Sequence, residues 1–401
     1  MGVGIGSIAN TGLKAAMTNM STISNNISNA NTVGFKKSQV NFADIYPGGF
    51  SNSGQVSGYG VRIQSIKQDF SLGRIDLTGR GLDLCLNTDG FFVEKDSAGK
   101  TSYTRAGNLS MDLNGYLTGS SGKIQGYPSV NGQIVPSGTL IDLQVSQAPS
   151  PAKSTANSEI TLNLDASALP PVTPLFDATD TTSYNFRSNT TVFDSLGNPY
   201  DMSVFYIKDS DNNWITQVMM DNQNIGTGSM QFQSDGAISA VAGMDSLTWS
   251  PTGGATAPQV FKVDLSKSTQ YSGDNTIRSN EQDGYQAGVP TGFNIDGSGN
   301  INVSYTNGQT QLQGQVALAQ FIAPQGLAKT DNMSWLETVE SGNPVFNPAI
   351  NSGAFSSGML ELSNVDLTEE LINLMSAQHD FQANSQVMQT YNQVLQTIEN
   401  I

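Results

Sequence analysis

The stretch SNNISNANTVGFKKS, residues 24–38, decides how the chain begins. Asn and Ser fill it, yet Ile23, Ile27 and Ala30 continue an apolar series that starts at Ala9 and runs through Leu13, Ala16 and Met20 in alternating steps of four and three. That spacing predicts an amphipathic helix with a seam for a partner helix, and Ile5 and Ile8 extend it backwards. Lys14 is the only charged side chain in the first thirty residues, so i,i+4 ion pairs cannot support this helix in isolation. Gly34 is the predicted stop, with Lys36 and Lys37 beyond it.

The other end has the same character. From Ser363 the chain reads SNVDLTEELINLMSAQHDFQANSQVMQTYNQVLQTIENI, with Leu374, Phe381, Met388 and Leu395 recurring every seven residues. Leu371, Gln378, Ser385 and Asn392 are the expected alternate seam positions, and Val387, Tyr391, Val394 and Ile398 widen the stripe towards the end. Asp366 followed by Glu369 predicts a capping-box start. No Lys or Arg occurs from 364 to 401. Two readings fit these ends: a two-helix hairpin packed on the domain core, or helices that bury their faces against copies of the chain. Amide-rich flanks suit lateral contacts, because Asn and Gln donate and accept without desolvating a charge.

The remaining composition excludes several classes. Eighteen Lys and Arg against 34 Asp and Glu give a formal charge of −16, which disfavours nucleic acid and anionic lipid as partners. One cysteine, Cys85, excludes an internal disulfide framework, and one histidine, His379, excludes His-rich metal sites. Cys85 lies in the alternating run Leu82–Leu86 and is expected to be a strand residue. The opening MGVGIGSIAN lacks a basic region, an apolar core and a cleavage site, so no Sec-type signal is expected. No run approaches the length of a membrane-spanning helix, and membrane insertion is not expected.

Between the ends the signals are β. Strand alternation is read at Ile75–Leu77, Leu82–Leu86, Phe91–Val93, Val192–Phe193, Met202–Ile207, Phe293–Ile295, Ile301–Tyr305 and Val316–Ile322, and Leu113-Asn114-Gly115-Tyr116 reads as a hairpin turn. QAPSPAKSTANS (147–158) and Leu169-Pro170-Pro171-Val172 break the pattern, which predicts an insertion. The expected organisation is nested: helical ends at 1–33 and 364–401, linkers at 34–70 and 350–363, an inner β-domain at 71–145 and 281–349, and an inserted outer β-domain at 146–280. The fold class is mainly β with α-helical termini that pair as a coiled coil.

Candidate chemistry is thin. Gly2-Val3-Gly4-Ile5-Gly6 follows no strand, and Gly99-Lys100-Thr101 has Glu94 where a P-loop needs its first glycine. Asp209-Ser210-Asp211-Asn212-Asn213 opens like a calcium loop but lacks the central glycine and has Met220 at the twelfth position. Trp214, Trp249 and Trp335 would serve a sugar groove or, more simply, the core. No cofactor, metal or catalytic residue is expected.

Four separated motifs, in order along the chain, resemble the axial-protein family of the bacterial flagellum, which comprises rod, hook and hook–filament junction proteins. They are Ser24–Lys36, carrying Asn25, Asn26, Asn29, Asn31, Gly34 and Phe35; Gly81-Leu82-Asp83-Leu84 with Gly90-Phe91-Phe92; Tyr103-Thr104-Arg105-Ala106-Gly107; and Ser363–Leu367, carrying Asn364 and Asp366. Thr191–Pro199 with Asp201–Phe205, and Asn307–Ala319, resemble the inserted outer domain of the hook branch. Gln378-His379-Asp380-Phe381 departs from the family pattern, placing a titratable residue where relatives carry a basic one.

The resemblance implies a non-enzymatic subunit stacked helically around a channel, with paired terminal helices as the inner tube. It implies a homopolymer that meets rod, hook cap and junction proteins after passage through the flagellar type III export apparatus, lying outside the cell without a cleaved signal. A bendable joint requires outer surfaces that slide among similar energies, and Gly-rich, weakly charged β-surfaces suit that. Ala9, Leu13, Ala16, Met20, Ile23, Ile27, Leu371, Leu374, Phe381, Met388 and Leu395 are the seam residues expected to carry assembly.

Overall fold

The computed structural model describes residues 5–45, 58–136, 139–346 and 353–399. Gly2–Gly4 of the dismissed phosphate-loop motif lie outside them, as do the side chains of Ile5 and Ile398. The chain forms two compact units, Met1–Ser146 with Gly292–Val303 and Thr310–Ile401, and Gln147–Thr291 with Ser304–Gln309.

In the first unit, α1 (Ile5–Ser28) and α2 (Leu367–Glu399) pair. They run antiparallel: Gly6, Gly12 and Asn26 meet Tyr391, Asn384 and Glu370 in turn. The first helix stops five residues before the expected 33. Ser28 Oγ and Asn29 Nδ2 hydrogen-bond back to the Ser24 and Asn25 carbonyls, and Asn29–Thr32 turn instead of continuing.

Both expected linkers contain strands among the described residues. Ser38–Asp44 and Val61–Gln68 form an antiparallel pair with a bulge between Asn41 and Phe42; residues 46–57 lie outside the described residues. Phe355–Ser357 pairs with Leu84–Leu86, and Met359–Glu361 pairs with Ile75–Leu77, so this second connector is woven into the β-domain.

The β-domain of this unit centres on Phe91–Lys95, paired with Thr101–Thr104, Lys123–Val130 and Leu318–Gln320. Gly99, at φ +85°, closes the hairpin that the Gly-Lys-Thr text marks. A cluster of Phe91, Tyr103, Tyr127 and Trp335 fills its core, with Phe70 and Phe321 edge-on to it. The turn at Asp112–Tyr116 is not a two-residue loop: Asp112 Oδ1 accepts from the Asn114 and Tyr116 amides, and only Gly115 has positive φ. The two-residue turn is Asn131-Gly132, at φ +52° and +76°.

The second unit is two sheets over one core. Phe186–Phe193, Pro199–Ser210, Asn213–Met220, Gln223–Phe232 and Ile238–Ala242 form an antiparallel meander. Asn157–Asp165 pairs with Gln259–Asp264, Thr269–Tyr271 and Thr276–Gln282 in the other sheet. Along Asn213–Met220 every second residue is buried, the period of a strand with one face on a core. The unit extends past the expected end at 280, because Thr276–Gln282 pairs with Asn157–Asp165 and Tyr285 and Gly288 bridge back to Lys153 and Ser150. The Asp209–Asn213 text is the tight turn between two meander strands, with Asn212 at φ +60°. Trp214 and Trp249 lie in this core and Trp335 in the other, so none lines a groove.

Candidate assembly site

The helix pair is built around glycine on one side and larger groups on the other. A Cβ on Gly6 would lie 2.5 Å from the Tyr391 ring and one on Gly12 would lie 2.5 Å from Asn384 Oδ1. Ala9, Ala16 and Ile23 are buried in the seam, and Leu13, Met20 and Ile27 half-buried. On α2, Leu374, Phe381 and Met388 are half-buried as expected, but the alternate register is shifted by one. Glu370, Ala377, Asn384 and Tyr391 line the seam there, with Ser385 also half-buried; Ala377 is 1% exposed, whereas Leu371 is 51% exposed and Leu395 is also exposed. Gln378 and Asn392 are exposed too, and His379 lies on the solvent face. Small Ala377 lets the helices approach where Gln378 would hold them apart.

Asp366 caps α2: its Oδ1 accepts from the Thr368 and Glu369 amides at 2.8 and 3.2 Å. The Glu369 carboxylate lies 3.8 Å from the Lys37 ammonium. Asn26 is buried at the other side of the pair, where its amide exchanges two 2.9 Å hydrogen bonds with the Ser38 backbone and donates to Glu370 Oε1. Burial pushes the Glu370 carboxyl above its ordinary pKa, against the Asn26 hydrogen bond that lowers it. Asn25 and Asn31 are exposed, and Asn29 only closes the helix end.

Beyond the helices, the motifs at 34–36, 103–107 and 363–366 converge. Gly34 has φ +70° and packs on the backbone of Arg105 and Ala106, where a Cβ would come within 2.6 Å. Its amide donates to the Glu361 carbonyl at 2.8 Å. Phe35 is buried beneath the Lys329 ammonium, 4.9 Å from the ring centroid. Asn364 accepts from the Lys37 amide and donates to the Asp69 carbonyl, both at 2.8 Å.

At the centre lies a set of buried charges that hydropathy does not reveal. Lys36 Nζ is 2.6 Å from Glu361 Oε1 and from the Ser71 carbonyl, and Arg105 Nη1 donates to Glu361 Oε2 at 3.3 Å. Lys36 and Glu361 are 1% exposed and Arg105 2%. Burial pulls the pKa of both cations below their ordinary values, and Glu361 opposes that pull. Cys85, in its buried strand, has its thiol pushed up to about 11 by burial and then by Glu361. It is an inert core residue. Among the described residues no cluster suited to a metal occurs, and no helix is long and apolar enough to cross a membrane.

Family models match this architecture piece by piece. "Flagella basal body rod protein" covers 7–36, "Flagellar hook protein FlgE/F/G D1 domain" 85–150, "Flagellar basal body protein FlaE D2 domain" 163–285, and "Flagellar basal body rod FlgEFG protein C-terminal" 356–401. Helical ends that pair, with β-units between them along the chain, thus define an axial protein of the bacterial flagellum. The flagellar hook protein FlgE of Escherichia coli K12 is 36% identical over 98% of both chains, and that of Salmonella typhimurium LT2 34% identical over 98% of both. The hook protein of Treponema pallidum is 27% identical over 97% of both. The chain belongs to the flagellar hook protein FlgE family. The crystal structure of Helicobacter pylori FlgE2 shares the fold at a TM-score of 0.52, with 12% identity, covering 71% of this chain and 99% of that one.

Proposed function

We propose that the chain is the structural subunit of a flagellar hook, polymerising helically into a curved tube that carries torque while it bends. The observation that supports this most directly is the unsatisfied face of α2: opposite the seam with α1, Leu371, Ile372 and Met375 are exposed, as are Val387 and Val394 further along. Apolar side chains repeated along one helix mark a surface meant for another chain, and repeated heterologous contacts that do not close make a filament.

In this reading α1 and α2 form the inner tube. Rod, hook cap and junction proteins are its further partners, reached through the type III export apparatus. The subunit performs no catalysis and holds no cofactor. Hydrogen exchange on monomer and polymer under one set of conditions tests the reading. Residues 5–28 and 367–399 should gain strong protection in a tubular polymer; a monomer already fully protected there that never polymerises would overturn it.

A further inference from the structure

Lys36 lies eight residues beyond α1, Glu361 six residues before α2, and Arg105 in the β-domain between them. We infer that Glu361 is a positioning residue that locks both helix connectors onto the β-domain together, so that neither connector docks fully without the other.

The geometry is that of a shared counter-ion. Glu361 Oε1 takes the Lys36 ammonium and the Gly73 amide at 2.6 and 2.9 Å, and Oε2 takes Arg105. The Glu361 backbone carbonyl also takes the Gly34 amide. One residue of the second connector thereby engages the first connector, the segment at 71–74 and the β-domain. Remove it, and Lys36 and Arg105 become two buried cations with no carboxylate in contact; Asp69 bonds instead towards Lys37, at 3.9 Å. An unpaired buried charge is far less favourable than the same charge in water, so Lys36 must swing out and take Gly34 and Phe35 with it. The reverse also holds: without a docked Lys36, Glu361 loses its shorter ion pair, and the Gly73 and Leu362 contacts beside it weaken. Coupling between the two connectors is reciprocal, as linked equilibria require.

The spacing around the triad leaves no room for a slack version. A Cβ on Gly73 would lie 2.0 Å from the Leu362 carbonyl, and one on Gly34 would strike the Arg105–Ala106 backbone. Leu362 donates its amide to the Arg74 carbonyl at 2.8 Å. Main chain therefore packs on main chain at the crossing, and the charges hold it there. Because this clamp is internal to one chain, it stands or falls on the monomer, whatever the polymer does.

Amide exchange on the full chain reads it. Glu361→Gln is expected to speed exchange at Gly34 and Lys37, on the opposite connector, by about tenfold or more, while the strand Asn213–Met220 in the other unit is unchanged. Lys36→Met should in turn speed exchange at Gly73 and Leu362. In the double variant Glu361→Gln with Lys36→Met, exchange at Lys37 should be slower than in Glu361→Gln alone, because the stranded cation is gone; a merely destabilising change would be worsened by a second one. Unchanged Gly34 and Lys37 in Glu361→Gln, or effects that simply add, overturn the inference. If Glu361→Gln does not fold, Lys36→Met decides, and unchanged exchange at Gly73 and Leu362 overturns it.

Discussion

Gly12 of α1 faces Asn384 of α2 so closely that a Cβ at position 12 would sit 2.5 Å from the Asn384 Oδ1 atom. In an open helix Gly→Ala stabilises by about 1 kcal/mol. Here the gain must be set against displacing Asn384, whose amide donates to the Asp380 carbonyl at 2.8 Å. Gly12→Ala is therefore expected to add no stability in the native background. In an Asn384→Ala background it should add about 1 kcal/mol. Thermal unfolding by circular dichroism compares the two, and an equal gain in both would remove Gly12 from the seam.

Glu94 gives the β-domain a pH dependence. Its side chain is fully buried and accepts the Ser120 and Ser121 amides at 3.0 Å, and burial pushes its pKa up to about 7 from 4.5 despite those bonds. The folded state then holds a proton that the unfolded state has released. Stability from this group is full below the unfolded value and is lost as pH rises from about 4.5 to about 7. The change is on the order of 3 kcal/mol at most. Glu94→Gln should flatten melting temperature against pH across that window; an unaltered slope would exclude Glu94 as its source.

Asp366 makes a simpler case. Asp366→Ala removes the acceptor for two first-turn amides and should cost about 1 kcal/mol. Asp366→Asn keeps an acceptor and loses only the charge–dipole part, about 0.3–1 kcal/mol. Exchange at Thr368 and Glu369 should rise in the first variant and stay close to wild type in the second. Equal effects would mean that charge, not the hydrogen bonds, holds the helix start.

Cys85 is a reporter rather than a reagent. With its thiol buried and pushed up to about 11, almost none is thiolate at neutral pH, and attack requires opening of the strand that Phe355–Ser357 covers. Maleimide labelling of the folded chain should be at least about a hundredfold slower than in denaturant. Fast labelling of a folded sample would contradict the buried placement.

These placements show what a reader of the sequence alone can and cannot reach. The α1 seam was legible because Ala, Leu, Met and Ile recur on one face against Ser, Asn and Thr. The α2 seam was half legible: the line through Leu374, Phe381 and Met388 stands out, but polar residues flank it on both sides. The seven-residue spacing then pointed to Leu371 and Gln378, whereas the structure turns their neighbours Glu370 and Ala377 towards α1. The strands at 38–44 and 61–68 escaped notice because half-exposed pairs with Asn, Gln and Lys carry weak alternation. Lys36 and Glu361 escaped because they are 325 positions apart, and a Lys just past a helix reads as a solvated cap. The one signal was the set of short motifs Gly34-Phe35-Lys36, Tyr103–Gly107 and Ser363–Leu367, which marked neighbouring segments without including Glu361 and without saying that they meet.

The shifted register of α2 separates residues that hold the helix pair from residues left for another copy. Ala377 is buried against α1 and Leu371 and Met375 are exposed on the same helix. Ala377→Gln forces a long polar side chain into a packed seam, where overpacking costs about 1–3 kcal/mol. The single chain should lose helicity and melt earlier. Leu371→Ser with Met375→Ser removes apolar surface that the single chain does not bury, so its melting should change by less than about 0.5 kcal/mol per site. If that face meets a neighbouring subunit, the same pair of changes must slow polymerisation and raise the critical concentration. The comparison needs both measurements on both variants. Melting lowered equally by the two would place Leu371 in the seam after all, and polymerisation untouched by Leu371→Ser with Met375→Ser would show that the polymer uses a different face of α2.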